Sequence, residues 1–177
     1  MQEPIFTGSC VAIVTPMNPD GSINYSEYGK LIDFQIENGT DAILACGTTG
    51  ESACMDHQEH CKVIEYTLEK VNGRVPVIAG TGSNDTAYAV ELTKEAKNMG
   101  ADGVLSVTPY YNKTSQAGLV AHFTKIADSV DIPMIVYNVP SRTGCNIKPA
   151  TYAELAKHPN IVATKEANDN VGAAAET

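Results

Sequence analysis

Two rhythms alternate along this chain, short β-branched apolar runs and longer segments with apolar residues at helical spacing. Ser9 to Val14 reads as the first strand, closed by Thr15-Pro16 and the turn Asn18-Pro19-Asp20-Gly21. The next helix, capped by Asn24 or Ser26, places Tyr28, Leu31, Ile32 and Ile36 on one side and ends at Asn38-Gly39. Ala42 to Cys46 is the second strand, and a helix follows from about Asp56 to Val71. The third strand, Val75 to Ala79, leads through Gly80-Thr81-Gly82 to a helix that starts at Asp85 or Thr86 and runs to Met99. Gly103 to Val107 forms the fourth strand, Ser115 to Ser129 a helix, and Met134 to Tyr137 the fifth strand. A short helix from Pro149 to Ala156 precedes the sixth strand, Ile161 to Glu166, and the tail from Asn168 opens one more helix.

Strands that alternate with helices and are apolar on both faces imply a parallel sheet. A closed (β/α)₈ barrel and an open doubly wound sheet both fit that pattern. In either, chemistry collects at the carboxyl ends of the strands.

The sixth strand carries the most informative ending. Strict alternation puts Ile161, Ala163 and Lys165 on one face and Val162 and Thr164 on the other. A buried strand ending in a lysine makes the ammonium costly to desolvate and favours a neutral amine, which attacks carbonyl carbons to form Schiff bases. The competing reading is a lysine that snorkels its charge to the open end of the strand.

The other strand exits add partners. Gly47-Thr48-Thr49-Gly50 offers two hydroxyls and exposed N–H groups, a nest for a carboxylate or phosphate. A tight turn accounts for its glycines but not for adjacent threonines. Tyr110, Tyr111 and Tyr137 place phenols at neighbouring exits as proton carriers, and Arg142 in Ser141-Arg142-Thr143-Gly144 is a bidentate carboxylate clamp. Gly80-x-Gly82 lacks the third glycine of a dinucleotide loop, since Asp85 stands in its place. His57 and His60 lack the carboxylate pattern of a metalloprotease helix and read as surface or interface histidines; no metal is expected. Together the exits suit carbon–carbon bond chemistry on a small keto acid.

Composition narrows the class further. The 177 residues are 43% hydrophobic and 19% charged, enough for one domain with a substantial core. A formal net charge of −9 argues against nucleic-acid and anionic-membrane surfaces. No run reaches membrane-spanning length, and Met-Gln-Glu-Pro-Ile-Phe at the start has no signal core. The five scattered cysteines, never spaced C-x-x-C, read as reduced thiols of a cytoplasmic protein.

The motifs G-T-T-G-E at Gly47–Glu51, T-P-Y-Y-N at Thr108–Asn112, Y-N-V-P-S-R-T-G at Tyr137–Gly144 and K-E-A at Lys165–Ala167 follow one another across the whole chain. In that order the sequence resembles the dihydrodipicolinate synthase family of class I aldolases. The resemblance implies a (β/α)₈ barrel, of which six βα units fall within residues 1–177 as one incomplete catalytic domain. It implies condensation of pyruvate with L-aspartate 4-semialdehyde to 4-hydroxy-tetrahydrodipicolinate on the route to diaminopimelate and lysine, with no cofactor beyond the covalent Schiff base. It assigns the Schiff base to Lys165 and a proton relay to Tyr137, Thr48 and Tyr111, the last lent across a tight dimer. Gly47 and the Thr48–Thr49 backbone would hold the pyruvate carboxylate, and Arg142 the carboxylate of the semialdehyde. A homodimer or homotetramer is implied, with a lysine-effector site at Ser52, Ala53, His57, His60, Asn84 and Tyr110. Tyr88 stands where lysine-sensitive members carry a glutamate, so weak or absent lysine inhibition is expected.

N-acetylneuraminate lyase is similar at the glycine loop, the tyrosine and the lysine but generally lacks the S-R-T-G arginine, so Arg142 favours the synthase. The chain stops after the sixth strand, and the expectation is that it is part of a longer enzyme. A non-catalytic fragment that keeps only the dimer or effector surface is the alternative from another class.

Overall fold

In the computed structural model, residues 4–176 are described; Met1–Glu3, read as free of a signal core, and the terminal Thr177 lie outside them. Six strands and seven α-helices follow one another along the described residues, beginning with β1 (Cys10–Ala12), α1 (Tyr25–Glu37), β2 (Ala42–Ala45), α2 (His57–Val71), β3 (Val77–Gly80) and α3 (Thr86–Met99). They continue with β4 (Gly103–Val107), α4 (Gln116–Ala127), β5 (Met134–Asn138), α5 (Pro140–Thr143), α6 (Pro149–Leu155), β6 (Ile161–Glu166) and α7 (Val171–Ala175). The chain divides into two compact units, Met1–Gly80 with Glu95–Gly103, and Thr81–Lys94 with Val104–Thr177.

In the first unit, β1 pairs with β2 and β2 with β3, all parallel. Every residue of β2 and β3 is buried, as a parallel sheet covered on both faces requires. The third strand starts at Val77 rather than Val75 because Pro76 cannot donate to the ladder; its carbonyl instead accepts from the Ile43 N–H at 3.0 Å. Asn24 and Asp56 cap α1 and α2 by accepting from the N–H groups of Glu27 and Glu59. The two helices are tied by the buried Tyr28 hydroxyl, 2.9 Å from Thr67 Oγ1, and by Asp33, which meets Lys70 at 2.6 Å and Arg74 at 2.8 Å.

Gly80 is fixed here by space. A Cβ on it would lie 2.1 Å from the Cys46 carbonyl oxygen and 3.1 Å from the Gly47 nitrogen, both backbone atoms that cannot swing aside. Gly80→Ala is therefore expected to cost at least about 3 kcal/mol in urea unfolding, above the usual range for an added methyl.

In the second unit, β4, β5 and β6 pair in parallel. Its core includes Leu119, Phe123 and Ile126 of α4 and Met134 of β5, all fully buried. Gln116, at the start of α4, accepts from the Thr151 hydroxyl at 2.6 Å and from the Lys148 N–H at 3.0 Å, which seats α6.

Two expectations for the sixth strand do not hold. It occupies Ile161–Glu166 as predicted, but Val162, Ala163 and Thr164 are exposed and the rest is half-buried. Among the described residues β6 pairs only with β5, so its outer edge has no strand to cover it. Strict alternation also fails, because Met134 pairs with Ile161 while its neighbour Ile135 pairs with Ala163. Val162 is thus the extra residue of a β-bulge, and Ile161 no longer shares a pleat with Ala163 and Lys165.

Two short elements arise where the sequence reads as loop. Ser52–Cys54 forms a 3₁₀ turn after the glycine-threonine loop, and α5 forms within the exit of β5. All five cysteines are unbridged. No helix among the described residues is long and apolar enough to cross a membrane.

Candidate active site

The end of β6 meets the end of β5. Tyr137 and Lys165 are paired in register, and the lysine Nζ stands 4.5 Å from the centre of the Tyr137 ring. The ring face attracts a cation at this range. Tyr137 is buried, and its hydroxyl makes no hydrogen bond among the described residues. Lys165 is half-buried rather than enclosed in a dry pocket, a correction that follows from the uncovered edge of β6.

Behind this pair lies a polar network that sequence reading missed. The fully buried Asn138 donates through Nδ2 to both oxygens of Glu166, at 3.1 and 3.0 Å, and to Asn146 Oδ1 at 2.8 Å. Its own Oδ1 accepts from the Ile147 N–H at 3.1 Å, and its carbonyl accepts from the Ala167 N–H at 2.9 Å. The Tyr152 hydroxyl donates to Glu166 Oε2 at 2.9 Å. Burial first, and then the bond to this carboxylate, push the Tyr152 phenol well above its usual range, so it remains a donor. These bonds hold Glu166 and Ala167, the two residues that follow Lys165, and so fix the exit of β6. The only hint in the sequence was position, with Asn138 and Glu166 each following a candidate catalytic residue.

The β5 exit is shaped by Thr143. Its hydroxyl accepts from Thr108 Oγ1 at 3.1 Å and from the Cys145 N–H at 3.2 Å, and lies 3.2 Å from the Val139 carbonyl. Gly144, at φ +66°, closes α5. Arg142 is thereby presented at the surface, and no ion pair engages it among the described residues. Tyr111 is 90% exposed, on a backbone at φ +69° that costs a residue with a side chain about 1–3 kcal/mol. It projects away from its own unit instead of joining Tyr137. Tyr110 is half-buried, and Asn84 accepts from Asn112 Nδ2 at 3.4 Å.

In the first unit, the Gly47–Gly50 loop folds into two successive turns, the Gly50 N–H bonding to Gly47 O and the Glu51 N–H to Thr48 O, each at 3.1 Å. Thr48 and Thr49 are exposed, and among the described residues neither their N–H groups nor their hydroxyls donate to any other group. Such unspent donors suit an anion. Gly50 is tethered by the Thr15 hydroxyl, which donates to its carbonyl at 2.9 Å.

Among the remaining positions, Ser52 and Ala53 lie on the 3₁₀ turn and His57 opens α2. His60 is not a surface histidine. It is 6% exposed, its Nε2 is 2.8 Å from the Gly80 carbonyl, and burial holds its pKa below the ordinary value.

The profile of the dihydrodipicolinate synthetase family matches residues 5–177. A 4-hydroxy-tetrahydrodipicolinate synthase of Acetivibrio thermocellus is 61% identical over 170 residues, covering 96% of this chain and 58% of the relative. The crystal structure of dihydrodipicolinate synthase from Aquifex aeolicus superposes with a TM-score of 0.93 at 52% identity, covering 97% of this chain and 58% of that one. The chloride-inhibited dihydrodipicolinate synthase from Acinetobacter baumannii, solved in complex with pyruvate, superposes with a TM-score of 0.92 at 49% identity, covering 94% of this chain and 57% of that one. The chain thus spans somewhat less than three-fifths of the length of the proteins it matches, and its α/β fold corresponds to part of their (β/α)₈ barrel. With a lysine and a tyrosine paired at the ends of two parallel strands, and a family profile that matches nearly every residue, this chain belongs to the dihydrodipicolinate synthetase family.

Proposed function

We propose that the whole protein is a 4-hydroxy-tetrahydrodipicolinate synthase, which condenses pyruvate with L-aspartate 4-semialdehyde, and that residues 1–177 carry the Schiff-base part of a single barrel domain. The observation that carries the reading is Lys165 paired with Tyr137 across β5 and β6, with Nζ 4.5 Å from the ring. The neutral lysine amine attacks the ketone carbon of pyruvate, and the carbinolamine loses water to give the imine. Loss of a methyl proton yields the enamine, whose carbon attacks the semialdehyde's aldehyde. The semialdehyde's amino group then displaces the lysine, closing the ring and freeing the enzyme.

Tyr137, whose hydroxyl is uncommitted, transfers protons at the carbinolamine, in relay with Thr48 and with Tyr111 of a second copy. The near-complete exposure of Tyr111 supports a role outside its own unit, within a homodimer or homotetramer. Gly47, Thr48 and Thr49 supply the unspent donors for the pyruvate carboxylate, and Arg142 the fork for that of the semialdehyde. No cofactor is needed, and the setting is the cytoplasm. The effector positions Ser52, Ala53, His57, His60, Asn84 and Tyr110 belong to the same reading, with lysine binding weakened at Tyr88.

The direct test is borohydride reduction in the presence of pyruvate, followed by peptide mass analysis. One reduced pyruvate on Lys165 is expected; a chain that gains no mass, or gains it on another lysine, defeats the proposal. Tyr137→Phe should slow imine formation by about 10²–10⁴-fold in a rapid-quench measurement, with pyruvate affinity nearly unchanged.

A further inference from the structure

His57 and His60 are one helical turn apart, yet the second is turned inward and spent on the Gly80 carbonyl. The residue that shares the face of α2 with His57 is Cys61, four positions on, and a third side chain comes to meet them from the last turns of α3. Cys61 Sγ lies 3.9 Å from His57 Nε2 and 3.0 Å from Glu95 Oε2, and His57 Nε2 lies 3.3 Å from Glu95 Oε2. All three belong to the first unit and are half-buried.

We propose that His57, Cys61 and Glu95 form a binding site for a borderline-soft divalent cation of the zinc class. Bonds of about 2.0–2.3 Å in tetrahedral geometry set ligand atoms roughly 3.3–3.6 Å apart, so the three distances need to change by only about half an ångström. Imidazole, thiolate and carboxylate together select zinc or cobalt over magnesium or calcium, which prefer oxygen alone. The charges also match, since one thiolate and one carboxylate neutralise a dication.

A cavity of about 420 Å³ adjoins the trio, lined also by Lys62, Glu65 and Met99, and gives room for water as the fourth ligand. The charge of Lys62 is already matched by Glu65 at 2.7 Å and does not oppose the ion. In the metal-free protein the Cys61 thiol donates its hydrogen to Glu95. On binding, the S–H bond breaks, a sulfur–metal bond forms, and the proton passes to solvent. The ion then staples the start of α2 to the end of α3.

The test uses the 177-residue chain, stripped of metal under reducing conditions and titrated with cobalt and then zinc. One equivalent should bind, with a thiolate-to-cobalt charge-transfer band and one proton released to the buffer per ion. Cys61→Ser should abolish the band and weaken zinc by about 100-fold. Glu95→Gln, nearly isosteric, should keep the band and weaken zinc by about 10-fold. Cys54→Ser, an exposed thiol outside the trio, should change neither. Zinc should raise the melting temperature of the parent chain and not that of Cys61→Ser. Circular dichroism of each variant separates lost ligation from lost folding. A band that survives Cys61→Ser, unchanged zinc affinity in Glu95→Gln, or no binding below millimolar metal would each overturn the site. Metal binding is read directly, so its failure leaves the Lys165 chemistry untouched.

Discussion

Lys165→Ala is expected to remove the borohydride-trapped pyruvate adduct completely while leaving the far-ultraviolet circular dichroism of the chain unchanged. The side chain is half-buried, and its ring contact with Tyr137 is worth only about 0.5–1 kcal/mol, so the fold loses little. The chemistry loses its nucleophile. On the proposed function, the same substitution in the whole protein should lower turnover by on the order of 10⁴-fold or more, as loss of a covalent nucleophile does elsewhere. Lys165→Arg should be equally inert, because a guanidinium with a pKa above about 12 offers no neutral amine. Residual adduct in either variant, traced by peptide mapping to a different lysine, would move the Schiff base away from β6.

The second large effect concerns acid. His122 on α4 is 6% exposed; its Nδ1 is 2.8 Å from the Thr86 hydroxyl, and its Nε2 has no hydrogen-bond partner among the described residues. Burial lowers its pKa from 6.5 to about 4. Above pH 6.5 the imidazole is neutral in both folded and unfolded chains, and its contribution to stability is whole. As the pH falls below 6.5 the unfolded chain takes the proton first, and by about pH 4 the loss reaches roughly 3 kcal/mol. His60, lowered by burial as well, works in the same direction. Carboxylates also titrate in this window, so the informative quantity is a difference. Urea midpoints of the parent chain and His122→Gln, taken from pH 7 to 4, should show the parent losing about 3 kcal/mol more than the variant. A difference that stays constant with pH would mean that the imidazole is not the acid-sensitive group.

The order of strands and helices was legible because glycine and proline punctuate nearly every junction and each apolar run has the length of its element. Asn24 was one of two caps the sequence offered for α1, and Asp56, which caps α2, stood at the expected start of that helix. Lys165 stood out as a candidate for the same reason, as a charge ending an apolar run. What lay hidden depends on which residues face one another across the sheet. The bonds joining Asn138, Glu166 and Tyr152 exist only because β5 and β6 pair in one register. The inward turn of His60 depends on where the Gly80 carbonyl falls, and the trio around Cys61 on how α3 returns to α2. Edge exposure of β6 could not be read from its composition, since Ile-Val-Ala-Thr is as apolar as an interior strand.

The bulge at Val162 has a consequence for how this chain tolerates insertions and deletions. Were Ile161 and Met134 followed by an unbroken ladder, Val162 would face Ile135, Ala163 would face Val136, and a threonine hydroxyl, that of Thr164, would stand opposite Tyr137. One surplus residue, looped out well before the strand ends, is what brings an amine to that place.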